Sequence, residues 1–205
     1  MAEIAFLAAV AFLGALVFGI TGFGAALVTI PLATHLVPLP FALALFVLVD
    51  LACAASVGFE NPRNAVRAEW ARLVPMIAAG TVVGVTLLVN LPRQAATLAL
   101  GIFVVLYSIY GLMKPEVRKP LASGWAWVAG FAGGITSTVF GAGGPPYVIY
   151  LSRRGLTREQ LRATLGFATL TSISLRTVAF LLTGLLLESR VWVAAAAAVP
   201  AALVG

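Results

Sequence analysis

Gly141, Ala142, Gly143, Gly144, Pro145 and Pro146 lie in the middle of an apolar stretch that runs from about residue 125 to residue 151. Such a run cannot continue a helix, because glycine leaves the backbone unrestrained and proline removes an N–H and clashes with the preceding turn. In lipid the freed peptide groups would each cost several kcal/mol, so a break of this kind is tolerated only inside protein or beside water. It therefore marks either a buried site where backbone meets a ligand or a close helix contact. The chain makes the break twice. Residues 4–36 form a second apolar stretch, interrupted by Gly19, Gly22, Gly24 and Pro31.

Of the 205 residues 61% are hydrophobic and only 10% charged, and the apolar runs repeatedly reach the roughly 20 residues a bilayer crossing needs. This excludes a soluble domain and predicts an all-α polytopic membrane protein. The net charge of +6 does not point to nucleic acid, since the basic residues fall in short loops between apolar spans, where orientation signals sit. With Cys53 as the single cysteine, neither an internal disulfide nor a thiolate metal cluster is possible; no metal site and no cofactor are expected. No cationic region precedes residues 2–18, so they read as part of the first membrane element and not as a cleaved leader.

In order, the chain reads as a broken hairpin (4–36), spans at about 41–58, 73–89 and 94–113, a second broken hairpin (125–151), a span at about 161–187, and an apolar run to the end. A shift of about 119 positions lays Phe12 on Phe131, Gly14 on Gly133, Gly22 on Gly141, Gly24 on Gly143 and Leu32 on Leu151. The chain thus divides into two repeats, residues 1–119 and 120–205. Arg63, Arg67 and Arg72 mark one loop as cytoplasmic; Lys114, Arg118 and Lys119 mark a second, and Arg153, Arg154 and Arg158 a third. The second hairpin then enters and leaves on the cytoplasmic side, while the first starts and ends outside. A hairpin plus three spans per repeat makes the two repeats inverted, the architecture of alternating-access transporters. The partner of span 94–113 would fall beyond residue 205, so either the sequence is a fragment lacking that last helix, the favoured reading, or the helix is absent.

Charges inside spans are costly and mark function or pairing. Asp50 lies within span 41–58 and Arg176 within span 161–187; the shift places Asp50 over Thr169, Cys53 over Ser172 and Val57 over Arg176, each triplet on one helical face. On one reading Arg176 recognises an anion, with Ser172, Thr169, Ser137 and the backbone at Gly22, Gly24, Gly141, Gly143 and Gly144. Asp50 then carries the coupling proton. On the other reading Asp50 and Arg176 are a buried ion pair holding the two repeats together. His35 reads as interfacial, Thr136, Ser137 and Thr138 as hydroxyls that can satisfy freed backbone, and Trp70, Trp125, Trp127 and Trp192 as an aromatic belt.

The signature from Gly19 through Gly22, Gly24 and Pro31, repeated as Gly133 and Gly134 through Gly141, Gly143, Gly144 and Pro146, resembles that of the TauE/SafE family of sulfite and sulfonate exporters. Ala25 and Ala26 stand where that family favours further glycine. The resemblance implies a multi-pass inner-membrane transporter of sulfite, organosulfonates or related anions, with proton coupling in some members. Its partners would be that anion, the bilayer and protons. A passive channel and a transporter of small carboxylates are the alternatives. An intramembrane enzyme does not fit, since the glycine turn holds no serine with a histidine partner and Asp50 has no acidic mate within the spans.

Overall fold

The computed structural model describes residues 2–58, 62–113, 120–187 and 189–204, and among these the chain is helical with no strand. The helices are α1 (Ala2–Thr21), α2 (Ala25–Ala33), α3 (Leu39–Gly58), α4 (Arg67–Asn90), α5 (Arg93–Leu112), α6 (Trp125–Phe140), α7 (Gly144–Leu151), α8 (Arg158–Leu182) and α9 (Ser189–Val204). The basic positions Lys114, Arg118 and Lys119 lie outside the described residues. Four helices, α3, α4, α5 and α8, are long and apolar enough to cross a membrane; α1 and α9 are apolar but shorter. The chain is a multi-pass membrane protein.

Both glycine breaks are real interruptions. Gly22 and Gly24 take φ of 77° and 88°, and Gly141 takes 74°, a backbone region that side-chain-bearing residues rarely adopt. Pro145 and Pro146 then open α7, where a missing N–H costs nothing. The short arms α2 and α7 have 9 and 8 residues. At about 1.5 Å per residue neither can cross the roughly 30 Å hydrocarbon layer, so each break turns within the protein.

Two boundaries differ from the sequence reading. Helix α4 starts at Arg67 and not near residue 73, because the polar residues there are good helix formers that pair with one another: Arg72 lies 2.8 Å from Glu69 one turn earlier. Helix α8 stops at Leu182, before the apolar run ends, since Gly184 turns the chain at φ 78°. Its start at Arg158 is fixed by a capping box between Thr157 and Gln160.

The packing is interleaved. Helix α4 lies mainly against α6, and α9 against α1; α3 packs on α8 and α9, and α8 on α3 and α4. Exchanging α1, α2, α3 and α4 with α6, α7, α8 and α9 leaves this pattern unchanged. Two apolar cores result. One gathers α1, α2, α3 and α9 with Ile173 and Phe180 of α8; the other gathers Leu73 and Ile77 of α4, Ala126 of α6, Tyr147 and Leu151 of α7, and Leu165 and Ala168 of α8. Helix α8 passes from one core to the other between Ala168 and Ile173.

The α4–α6 contact is made by glycine on both sides. A Cβ on Gly130 would come within 2.7 Å of the Leu73 carbonyl oxygen, one on Gly134 within 2.9 Å of the Thr81 nitrogen, and one on Gly84 within 2.8 Å of Thr138 Cβ. The spacings Gly80 to Gly84 and Gly130 to Gly134 are the small-residue pattern that lets membrane helices touch along their backbones.

One end of the bundle is polar. Glu69 Oε1 accepts from Arg154 Nη2 at 2.9 Å and from Arg72 Nη1 at 2.8 Å, while Tyr150 donates its hydroxyl to Glu69 Oε2. Arg154 also donates to the Leu121 carbonyl, and Asn64 to Glu159 at 3.3 Å. The loops that carry Arg63, Arg153 and Arg158, and the segment leading into α6, therefore meet on one face.

Candidate functional site

The two breaks come together between the cores. Residues Gly24, Ala25 and Ala26 from the first and Gly141 to Gly144 from the second line one small cavity of about 20 Å³, room for a single water. Phe18 and Phe23 close part of its wall, Tyr147 of α7 another, and Asp50, Ser137, Thr169, Ser172 and Ile173 complete it. A Cβ on Gly141 would come within 2.9 Å of Ala26 Cβ and 3.1 Å of Arg176 Nη1. Nothing larger than glycine fits where the breaks meet Arg176.

Arg176 and Asp50 are paired. Arg176 Nη2 donates to Asp50 Oδ2 at 2.8 Å and Nη1 to the Ser137 carbonyl at 2.8 Å. The side chains are 1% and 4% exposed, so the pair is desolvated, and a desolvated pair needs its remaining donors satisfied to be favourable. That condition is not met within the chain: among the described residues Arg176 Nε has no partner, and neither does the buried Thr169 hydroxyl on the cavity wall. A buried unmatched donor costs about 1–3 kcal/mol. The Thr169 hydroxyl lies on the cavity wall and the Arg176 guanidinium behind Asp50 and Ser137.

Backbone donors are fewer than the breaks at first offer. The amide of Gly22 is bound to the Phe18 carbonyl, that of Gly141 to Ser137 and that of Ala142 to Thr136, all inside their own turns. Proline at 145 and 146 supplies no N–H. The candidate amides are therefore those of Gly24, Ala25, Gly143 and Gly144, at the N-termini of α2 and α7, where the helix dipole favours negative charge.

The family model described as Sulfite exporter TauE/SafE matches residues 7–205. The chain belongs to this family. Among curated proteins it is 30% identical over 193 residues to the probable sulfite/organosulfonate exporter TauE of Cupriavidus necator, an alignment covering 90% of this chain and 74% of that relative. No solved structure matches it.

In this TauE/SafE member the sequence-derived residues fall together with one exception. Gly24, Gly141, Gly143, Gly144, Ser137, Thr169, Ser172 and Asp50 all line the cavity, and Arg176 stands behind Asp50 and Ser137. Gly22 does not line it; its left-handed backbone turns the chain toward Phe23. Thr136 and Thr138 donate to the Gly133 and Gly134 carbonyls at 3.3 and 2.9 Å, the backbone-satisfying role open to hydroxyls at such a break. Sequence reasoning missed Tyr147, whose hydroxyl donates to Ser172 at 3.0 Å, as well as Phe18 and Phe23. Aromatic residues in apolar helices carry no local signal that separates a cavity wall from core. Only the position of Phe23 between two glycines set it apart.

Proposed function

We propose that this protein is a secondary-active transporter that exports small oxyanions, sulfite or organosulfonates, across the inner membrane by alternating access, with Asp50 as the proton-carrying group. What carries the reading is the small cavity at the meeting of the two breaks, with the unpartnered Thr169 hydroxyl on its wall and the unpartnered Arg176 Nε behind Asp50 and Ser137. The two repeats, 1–119 and 120–205, are inverted about this point, and the substrate crosses as the two cores shift against each other. The name of the Cupriavidus necator relative supports sulfite or an organosulfonate as the anion.

The site chemistry follows from the ion pair. Asp50 presents to Arg176 the kind of planar, charge-bearing oxygen pair that a substrate oxyanion would offer, so the two compete for one guanidinium. A proton on Asp50 ends that competition and lets the anion take its place, with Thr169, Ser172 and the Gly143 and Gly144 amides as further donors. Around Asp50 the titratable and charged groups are Arg176 from α8, Tyr147 from α7 and Cys53 on its own helix. Anion and proton thus enter together, and neither leaves an unpaired charge in the low-dielectric interior.

The test is sulfite uptake into proteoliposomes under an imposed pH gradient, with no sulfite gradient. Accumulation above the external concentration, abolished by a protonophore, is the expected result. Flux that only ever runs down the sulfite gradient would make the protein a channel, and binding of acetate in preference to sulfite would move the substrate to small carboxylates.

A further inference from the structure

We propose that Phe23 is the gate between the anion cavity and the basic face of the bundle, an assignment that rests on the transporter reading of the cavity. The chain around Phe23 changes environment within a few residues. On one side Gly19 and Thr21 are exposed and Ile20 is 79% exposed. On the other, Gly24, Ala25 and Ala26 line the cavity. Phe23 is the wall between them. Its ring lies on Gly144 so closely that a Cβ there would fall 2.7 Å from Phe23 Cβ and Cγ, and it packs against the core built by α4, α6, α7 and α8.

Helix α8 gives the direction of the route. Arg162, near its start, donates to the Gly19 carbonyl at 3.3 Å. Thr169 and Ser172 on the cavity wall follow two turns later, about 10–15 Å along the axis, and Arg176 one turn beyond. Of the rings that close the cavity, Phe23 is the one that follows the exposed residues Gly19 to Thr21, next to Arg162 on the side of Arg154 and Arg158. On the opposite side the closure is thick: Phe180 lies one turn past Arg176 with the guanidinium 6.0 Å from its ring centre, and Phe46 lies one turn before Asp50, both fully buried.

The ring is built to move. Gly22 and Gly24 flank it, both in the left-handed region, so the backbone on each side can rotate without a side-chain clash. Its local restraint is Thr21, whose hydroxyl accepts from the Phe23 amide at 3.3 Å and donates to the Phe23 carbonyl. The equivalent position in the second break, between Gly141 and Gly143, is Ala142. An aromatic plug at one break and a methyl at the other makes the closure asymmetric. A cavity of about 20 Å³ admits no sulfite, so an anion arriving from the basic face enters only when the ring swings away.

The experiment uses the full chain with Cys53→Ala, removing the native thiol, and Ala142→Cys as a reporter in the cavity. Sealed vesicles of either orientation are treated with the membrane-impermeant, cationic trimethylammonioethyl methanethiosulfonate, which is not of the proposed substrate class. With Phe23 present, modification is expected to be slow from both sides. Phe23→Ala should speed it at least tenfold, only from the side bearing Arg154 and Arg158, and Phe23→Leu should give an intermediate rate. An unchanged rate in Phe23→Ala, or acceleration from the opposite side, overturns the gate. Should Ala142→Cys fail to insert, Thr169→Cys reports on the same cavity. Protection of the thiol by methanesulfonate, which does not react with the reagent, tests the anion site separately in Phe23→Ala: acceleration without protection keeps the gate and sinks the anion reading.

Discussion

At the residue scale Asp50 and Arg176 are a buried ion pair, with Asp50 on the cavity wall and Arg176 behind it. What separates support from binding is how each side fails. Removing one partner of a desolvated pair strands the other charge, typically at a cost of about 3–5 kcal/mol. In Asp50→Asn the stranded group is the guanidinium, and an anion can neutralise it. The variant is therefore expected to melt lower than wild type without ligand, to recover on adding sulfite, and to bind methanesulfonate, which does not titrate near neutral pH, with an affinity that no longer varies with pH. In Arg176→Ala the stranded group is a carboxylate, which sulfite only repels. That variant should also melt lower, with no recovery at any sulfite concentration. Melting curves of the purified proteins with and without sulfite decide it; equal recovery, or none in either, would reduce the pair to a structural tie.

At the element scale the most extensive contact among the described helices joins α4 and α6, which belong to different halves of the sequence. It is a backbone contact, so it tolerates no side chain. Gly134→Ala pushes a methyl against the Thr81 nitrogen and the Ile77 carbonyl and is expected to cost about 1–3 kcal/mol, with Gly134→Leu preventing stable assembly. Gly101→Ala on the open face of α5, where no atom lies within 4 Å, should leave the melting temperature unchanged or slightly raised. If both alanine variants melt alike, the α4–α6 contact is not what holds the halves together. The same elements show how far the sequence could be read. The two breaks were legible, because glycine and proline act through the local backbone. The pairing of Asp50 with Arg176 was legible only as one of two readings, because a charge inside an apolar span marks either function or a partner. The start of α4 was not, since Glu69 and Arg72 look like loop residues until Arg154 and Tyr150 arrive from distant positions to bury the carboxylate. The end of α8 was obscured by the apolar residues that follow Gly184.

At the scale of the whole molecule the exchange symmetry of the helix contacts leaves the direction of the second half open to two arrangements. Parallel halves would put equivalent ends on the same side of the membrane; inverted halves put them on opposite sides. The chain offers a clean pair of markers. His35 follows α2 and is exposed, and a shift of about 119 positions lays it on Arg154, just after α7. Arg154 is held by Glu69, but Ser152 two residues earlier is exposed, with its hydroxyl on the Ile149 carbonyl. With Cys53→Ala as background, His35→Cys and Ser152→Cys can each be probed with an impermeant thiol reagent from either side. By the charge rule, the grouping of Arg63, Arg72, Arg153 and Arg154 on one face predicts that Ser152 faces the cytoplasm. Inversion then requires Ser152→Cys to react only from inside and His35→Cys only from outside. Reaction of both from one side would leave the two breaks entering from the same direction. A pocket between them would then have no second exit, and alternating access would lose its structural basis.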